Sequence, residues 1–311
     1  MSHPKNIAIV GATGSVGKFI VAELLKTGKH SVTAITRADS QAAMPDGVQV
    51  ARVDYDDKAS LVAALRGQDV LIVTMSVAAP EGAQIALNEA AAAAGVPWIM
   101  PNNWGGDHAD EGLADATFLG PANRAVRASI EGLGVSAWVS LVSGFWYEFS
   151  LGGGPGRYGF DFDARSVVLY DEGAQPINTT TWPQSGRAVA RLLSLPAAEL
   201  AQFRNRFVYV SSFCVSQRDM LASVLRVTGT TEKDWTITRE DSRERYQKGL
   251  EDMQKGDGTG FVRAMYARVF YPDGSGVYEE KRGLQNDLLG LPREDLDEFT
   301  RIAIEKKDET Y

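Results

Sequence analysis

Along the first half of the chain, short apolar runs alternate with stretches whose apolar residues recur at helical spacing. Ile7 to Val10 is apolar and ends at Gly11; Val16, Phe19, Ile20 and Leu24 then mark one helix face, and Gly28 supplies a stop. Ser31 to Thr36 and Val48 to Val53 read as the next two strands, and Lys58 to Leu65 as a short helix closed by Gly67. Val70 to Thr74 is β-branched and apolar, the pattern of a strand buried on both faces of a parallel sheet. An alanine-rich helix spans Glu81 to Ala94 and stops at Gly95. Trp98 to Met100 is a strand, Pro121 to Leu133 a helix and Ala137 to Val142 a further strand. Such alternation predicts an α/β fold of the Rossmann type, a doubly wound parallel sheet with helices on both faces.

The pattern changes at Gly152-Gly153-Gly154-Pro155-Gly156, which reads either as a linker or as a mobile loop over a cleft. Beyond it, Gln184 to Leu193 and Arg218 to Val227 look helical, with a strand from Phe207 to Val210 between them. Thr179, Thr180 and Thr181 read as a strand or turn near the cleft, and Ser216 with Asp219 as a capping box. Ser242 to Lys255 is a charged, solvated helix. Pro292 opens a last amphipathic helix through Leu296, Phe299, Ile302 and Ala303, and the mixed-charge end from Glu305 to Glu309 is expected to fray. The expected division is a nucleotide-binding domain over 1–150 and a smaller α/β substrate domain over 151–311, with segments such as 184–212 returning to the first.

Composition narrows the function classes. The 311 residues are 44% hydrophobic and 23% charged, which suits a core that needs no cross-links. A single cysteine, Cys214, cannot form an intramolecular disulfide or a cysteine-rich zinc site. The net charge of −8 argues against wrapping nucleic acid. No run approaches the ~18 apolar residues of a membrane span. The start, Ser2-His3-Pro4-Lys5-Asn6, has no signal or transit character, so a cytoplasmic protein is expected. There is no His-Glu-xx-His helix, GxSxG elbow or Walker lysine, and no metal site is expected.

The chemistry begins at Gly11-Ala12-Thr13-Gly14-Ser15-Val16-Gly17, a GxxGxxG loop between the first strand and first helix. There the first glycine permits a tight turn, the second lets backbone approach a pyrophosphate, and the third lets helix and strand pack closely. Thr13, Ser15 and Val16 belong to the same phosphate cradle, at a helix N-terminus whose free N–H groups favour anions. The second strand ends Ile35-Thr36-Arg37, where an NAD site would place a carboxylate. A guanidinium there accepts a 2′-phosphate, so NADP(H) is favoured; the alternative is that Arg37, two residues before Asp39, is a solvated surface group. Thr74 and Met75, after the fourth strand, are further cofactor contacts.

The glycine run, Thr36-Arg37, Asp54-Tyr55-Asp56-Asp57, Pro101-Asn102-Asn103-Trp104-Gly105, Ser129-Ile130-Glu131-Gly132-Leu133-Gly134-Val135 and Gly144-Phe145-Trp146-Tyr147 together resemble the NmrA-like and isoflavone reductase-like family of atypical short-chain dehydrogenases. Tyr271-Pro272-Asp273-Gly274 resembles its fungal members. The resemblance implies NADPH in a cleft between a Rossmann domain and a smaller substrate domain. It places Asp54 beside the cofactor, and Asn103 and Asn123 at the nicotinamide ribose. Two departures stand out: the family's reductases carry a lysine where this chain has Asn123, and often a glutamate where it has Asn103.

Hydride transfer to a carbonyl or activated alkene needs a proton source near the developing anion. His108 and Tyr147 follow the fifth and sixth strands, where ligands bind in such sheets, and are the candidate catalytic groups with Asn123. His108 would bring an unperturbed pKa near 6.5; the alternative is an exposed loop histidine. Tyr158, Asp161 and Asp163 could reach the cleft from a lid. Trp104, Phe145, Trp146, Tyr147 and Tyr158 are candidate substrate contacts; the rings of Phe145, Trp146, Phe149, Phe160 and Phe162 either line an aromatic pocket or form the interdomain core. The expected function is NADPH-dependent reduction of a small aromatic or conjugated secondary metabolite, by a monomer or homodimer. A cofactor-sensing regulator without catalysis, and an isomerase or cyclase with no net redox change, are the alternatives.

Overall fold

The computed structural model describes residues 2–76, 79–80 and 82–307. Glu81, placed at a helix start by its sequence, and Asp308 and Glu309 of the tail lie outside the described residues. The first half runs β1 (Asn6–Val10), α1 (Gly17–Thr27), β2 (Ser31–Arg37), β3 (Val48–Val53), α2 (Lys58–Leu65), β4 (Val70–Val73), α3 (Ala83–Ala94), β5 (Trp98–Met100), α4 (Glu111–Ala116), α5 (Gly120–Leu133) and β6 (Ala137–Val142). The second half runs β7 (Phe145–Trp146), α6 (Tyr147–Leu151), β8 (Phe160–Asp161), β9 (Ser166–Tyr170), β10 (Ile177–Thr180), α7 (Trp182–Leu193), α8 (Ala197–Leu200), β11 (Arg206–Tyr209), β12 (Phe213–Val215), α9 (Gln217–Thr228), β13 (Thr236–Glu240), α10 (Ser242–Gln254), α11 (Thr259–Val269), α12 (Glu279–Arg282) and α13 (Leu296–Glu305).

Seven parallel strands form the main sheet in the order β11-β6-β5-β4-β1-β2-β3, the doubly wound arrangement that the strand–helix alternation predicts. Alternation along β1 shows how the sheet is sandwiched. Ile7 and Ile9 face one core with Ile20 and Leu24 of α1 and Val189 of α7. Ala8 and Val10 face the other, with Leu61 of α2, Leu87 of α3 and Ile130 of α5. Each such fully buried leucine or isoleucine contributes about 1.5–3 kcal/mol relative to exposure. The strand reversal falls between β1 and β4, so the crevice at the carboxyl ends of the strands opens over the glycine loop.

Two three-stranded sheets, β12-β10-β7 and β13-β9-β8, build the second unit around Tyr147, Tyr158, Phe160, Tyr170 and Phe270. The chain crosses back from this unit to the large sheet through α7, packed on α1, and β11, paired with β6. Residues 278–295 then strap the two together. Tyr278 donates its hydroxyl proton to the Val210 carbonyl (2.7 Å). Gln285 Oε1 accepts from the Tyr209 N–H (2.6 Å), and the Asn286 amide pairs with both the N–H and C=O of Ser211. Glu294 takes a salt bridge from Arg187 (2.7 Å) and hydrogen bonds from Thr181 and Ser212.

The structure bears on three local readings. The last helix starts at Leu296 rather than at Pro292, because the Asp295 carboxylate caps it by accepting from the Glu298 N–H. The glycine cluster lies along a cavity and starts against the last helix. A Cβ on Gly152 would lie 2.6 Å from the Ala303 carbonyl, so the cluster begins in close contact with α13. It walls a cavity of about 460 Å³ with Glu148, Phe162 and Lys307. The three threonines are buried: Thr179 and Thr180 lie in β10, and Thr181 caps α7 by accepting from the Gln184 N–H.

Candidate functional site

The glycine loop is built by close approach. Gly11 has φ +81°, and a Cβ there would sit 2.2 Å from the Thr74 carbonyl oxygen. A Cβ on Gly17 would sit 2.1 Å from the Gly11 carbonyl oxygen, so α1 can meet β1 only through a glycine. Gly14 differs: its nearest neighbour would be the Gly11 oxygen at 3.2 Å, and the residue is exposed. Thr74 supports the turn from beneath, with Oγ1 at 2.8 Å and 3.0 Å from the Val10 and Gly11 carbonyls. No side chain caps α1 at Val16; the Lys18 and Phe19 N–H groups are met by the Gly14 and Val16 carbonyls, so what the start of α1 offers an anion is chiefly its positive dipole end. Thr13 is exposed, Ser15 half-buried and Val16 buried.

At the end of β2, Thr36 is half-buried and Arg37 projects into solvent, its Nε 3.8 Å from an Asp39 carboxylate that is equally exposed. The pair is weak at that separation and exposure, so the guanidinium can turn to a phosphate at little cost. Asp54, after β3, is exposed and accepts from the Asp56 N–H. The Met75 carbonyl accepts from the Asn102 side chain (3.1 Å).

Asn103 lies on the turn after β5 and is 4% exposed, yet neither polar atom of its side-chain amide has a partner. A buried amide in that condition costs about 1–3 kcal/mol per unmet group, which makes Asn103 a candidate for pairing with a ligand's donors and acceptors. The turn is held from three sides. Ser140 Oγ donates to the Asn103 carbonyl, Trp104 Nε1 donates to the Val73 carbonyl (2.7 Å), and Gln84 Oε1 accepts from the Asn102 N–H. Gln84 in turn donates to Asn88 one helical turn on (2.8 Å). Of these supports the sequence reading singles out Trp104, as a substrate contact, but not Ser140, Gln84 or Asn88. A polar pair spaced i, i+4 on the buried face of an alanine-rich helix was the available signal.

His108 is 5% exposed, not a solvated loop residue. Burial, with the cations of Arg127 and Arg124 beyond it, lowers its pKa from 6.5 to about 4; Asp107 opposes the shift. The ring is therefore neutral at pH 7, which replaces the expectation of a group poised near 6.5. Asn123 faces it across the crevice, Nδ2 3.5 Å from His108 Nε2. An amide N–H donor there assigns the ring proton to Nδ1, and Nδ1 has no partner. His108 lines a cavity with Leu113, Leu119, Phe145 and Met265, and a second cavity beside it is bounded by Phe145, Val269 and Tyr278. Each holds about 30 Å³, room for single waters, so the apolar walls are nearly closed.

The remaining predicted residues divide. Phe145 stacks on Tyr266 (3.9 Å between centroids) and borders both cavities. Trp146 turns the other way, into a cluster with Phe149 and Trp182. Tyr147 and Tyr158 are fully buried in the second core. Their hydroxyls bond Thr300 (2.7 Å) and Thr179 (3.0 Å), and burial raises both pKa values, so neither reaches the crevice as a proton donor. Phe160 and Phe162 stack on each other in that same core. Asp161 and Asp163 border the cavity at the glycine cluster instead. Among the described residues there is no cluster of metal-ligating side chains, and no helix is long and apolar enough to cross a membrane.

The sequence profile described as the NmrA-like family matches residues 3–148. Oxidoreductase aprR of Aspergillus flavus is 28% identical over 298 residues, spanning 94% of this chain and 96% of that protein. The crystal structure of an isoflavone reductase superposes with a TM-score of 0.74 at 21% identity, covering 96% of this chain and 98% of its own. That of AtPrR2 with NADP+ and (+)pinoresinol gives 0.73 at 18% identity, covering 97% and 100%. At those identities the two superpositions speak for the fold alone.

Proposed function

Starting from the match of residues 3–148 to the NmrA-like family, we propose that the protein is an NADPH-dependent oxidoreductase that reduces a small aromatic or conjugated carbonyl compound. The observation that carries the reading is Asn103, a buried amide at the carboxyl end of β5 whose two polar side-chain atoms have no partner within the chain. These residues fit NADP(H). Gly11, Gly14 and Gly17, with Thr13, Ser15 and Val16, receive the pyrophosphate at the start of α1. Arg37 with Thr36 takes the 2′-phosphate, and Asp54, Thr74 and Met75 border the adenosine and central parts of the groove. Asn103 and Asn123 meet the nicotinamide end.

When bound, the cofactor supplies a hydride. The chain supplies the environment. Leu113, Phe145 and Met265 exclude water from the reacting face, which strengthens every dipole inside it. His108 acts as a neutral donor: its Nδ1–H points the partial charge of an unpartnered N–H at the oxygen on which negative charge develops. Asn123 keeps that tautomer by facing Nε2. The apolar walls favour an uncharged, ring-bearing substrate over a sugar or an acid. Trp104 and Phe145 are the proposed substrate contacts.

The test is the loss of reduced-nicotinamide absorbance with a panel of quinones, conjugated ketones and aldehydes. Turnover that prefers NADPH to NADH, with the preference reduced at least about tenfold in Arg37→Ala, is the expected result; the lost phosphate bond is worth about 1.5–3 kcal/mol. An unchanged preference removes Arg37 from the site. Asn103→Leu has a two-sided outcome. Relief of the unmet amide raises the Tm of the cofactor-free protein by a few degrees, at about 2–4 °C per kcal/mol, while NADPH affinity falls. Scanning calorimetry with and without NADPH reads both, and a fall in Tm without cofactor contradicts the assignment. A second reading, a cofactor sensor without catalysis, is favoured by Asn123 standing where family reductases have lysine. Tight NADPH binding with no turnover across the panel selects it.

A further inference from the structure

We infer that Arg282, acting through Asp107, is a positioning residue that keeps the His108 ring dry and turned to the apolar cavity; this rests on the role proposed for His108. Asp107 is 5% exposed, and each of its oxygens is engaged. Oδ1 accepts from the Tyr209 hydroxyl (3.0 Å) and from the Ala109 N–H (3.0 Å). Oδ2 accepts from Arg282 Nε (3.0 Å). The residue immediately before His108 is thus tied to the end of β11 on one side and to the end of α12 on the other. Tyr209 is itself held against Tyr278, ring centroids 5.7 Å apart, at the start of the strap. The strap therefore reaches the loop that carries the proposed donor, across 175 residues of chain.

The charges around His108 make the arrangement readable. Asp107 faces it from its own loop, and Arg124 and Arg127 face it from α5. The α11 side chains that share its cavity, Met265 and Val269, carry no charge. Without Arg282, a buried carboxylate loses its cation and the loop must shift to give Asp107 water. Hydration of the ring and an unpaired Asp107 act in one direction: they raise the proton affinity of His108.

The experiment uses the full chain. Imidazole titrations of wild type and Arg282→Met are followed by NMR, with His108→Asn identifying the His108 signals against His3 and His30. In wild type His108 stays neutral to about pH 5. In Arg282→Met it titrates between about pH 5.5 and 6.5, the range of a solvated imidazole. Arg282→Lys restores much of the wild-type curve, because an ammonium can still neutralise Asp107. With a substrate in hand, kcat at pH 7 falls at least about tenfold while the KM for NADPH holds, as expected for a misplaced donor. A strap that is merely structural lowers Tm and leaves the His108 titration unmoved, and that result overturns the inference. Should Arg282→Met not fold, Tyr209→Phe removes the other side-chain tether and must shift the titration in the same direction by less. The titration is read without substrate, so it stands or falls separately from whether the protein is a reductase.

Discussion

Gly14→Val should weaken NADPH binding by at least about 100-fold in a protein that remains folded. The loss corresponds to about 3 kcal/mol, two charge-assisted phosphate bonds at about 1.5 kcal/mol or more each. What makes Gly14 the right position is the space around it. A side chain on Gly11 or Gly17 collides with backbone at 2.2 Å or 2.1 Å, so substitution there breaks the turn and confounds binding with folding. At Gly14 the nearest atom lies 3.2 Å from the added Cβ and the residue faces the crevice, so valine fills the volume the pyrophosphate needs while the loop yields only slightly. Cofactor fluorescence titration beside circular dichroism reads the two effects separately. A variant that binds NADPH within about threefold of wild type would falsify the phosphate-cradle role of the loop.

Turnover should fall at least about 100-fold in His108→Leu while NADPH affinity is kept, the scale measured for removing one donor to a developing oxyanion. Leucine suits the cavity, whose other walls are Leu113, Leu119, Phe145 and Met265. The pH profile is the sharper readout. With its pKa held at about 4 by burial and by Arg127, His108 is neutral throughout the working range, so kcat should be flat from about pH 8 to pH 5. An inflection near 6.5 would instead identify a solvated imidazolium acting as general acid and would sink the neutral-donor assignment. Stability carries the same signature. The folded-state pKa is depressed below the unfolded value, so the folded chain takes up the later proton. The stability that His108 contributes is whole above pH 6.5, declines as pH falls from 6.5 to about 4, and is constant below that.

Both predictions rest on features that differ in how visible they were in the chain. The glycine loop and the strands flanking it are written in local periods, and β3, β5 and β6 begin and end where the apolar pattern places them. Gly17 could be assigned its packing role before any coordinates because strand–turn–helix geometry demands it. Tyr147 shows the opposite case. Its place after β6 suggests a crevice, but α6 begins at that residue and turns the ring inward to Thr300, a partner 153 positions away. His108 was singled out by its place, whereas its protonation state depends on Arg127 of α5 and on burial by α4 and α11, none of which is local. The tether from Arg282 to Asp107 has no sequence signal at all, since each is an ordinary charged residue until the strap brings them within 3.0 Å. What was legible is set by neighbours three or four residues away; what was not is set by tertiary closure.

The strap has an effect outside the crevice as well. At β11 the outward-facing polar groups of the sheet rim are met by side chains: Gln285 takes both the N–H and the C=O side of Tyr209 through its own side-chain oxygen and backbone N–H, and Asn286 does the same for Ser211 with its amide. Two consecutive amide residues thus imitate the strand that would come next. A strand from another molecule arriving at this rim finds those donors and acceptors already taken, so edge-to-edge growth of the sheet, the route from a parallel β-structure to a fibril, is blocked at that side. Resistance to aggregation on heating should therefore depend on Gln285 and Asn286, residues with no part in the chemistry.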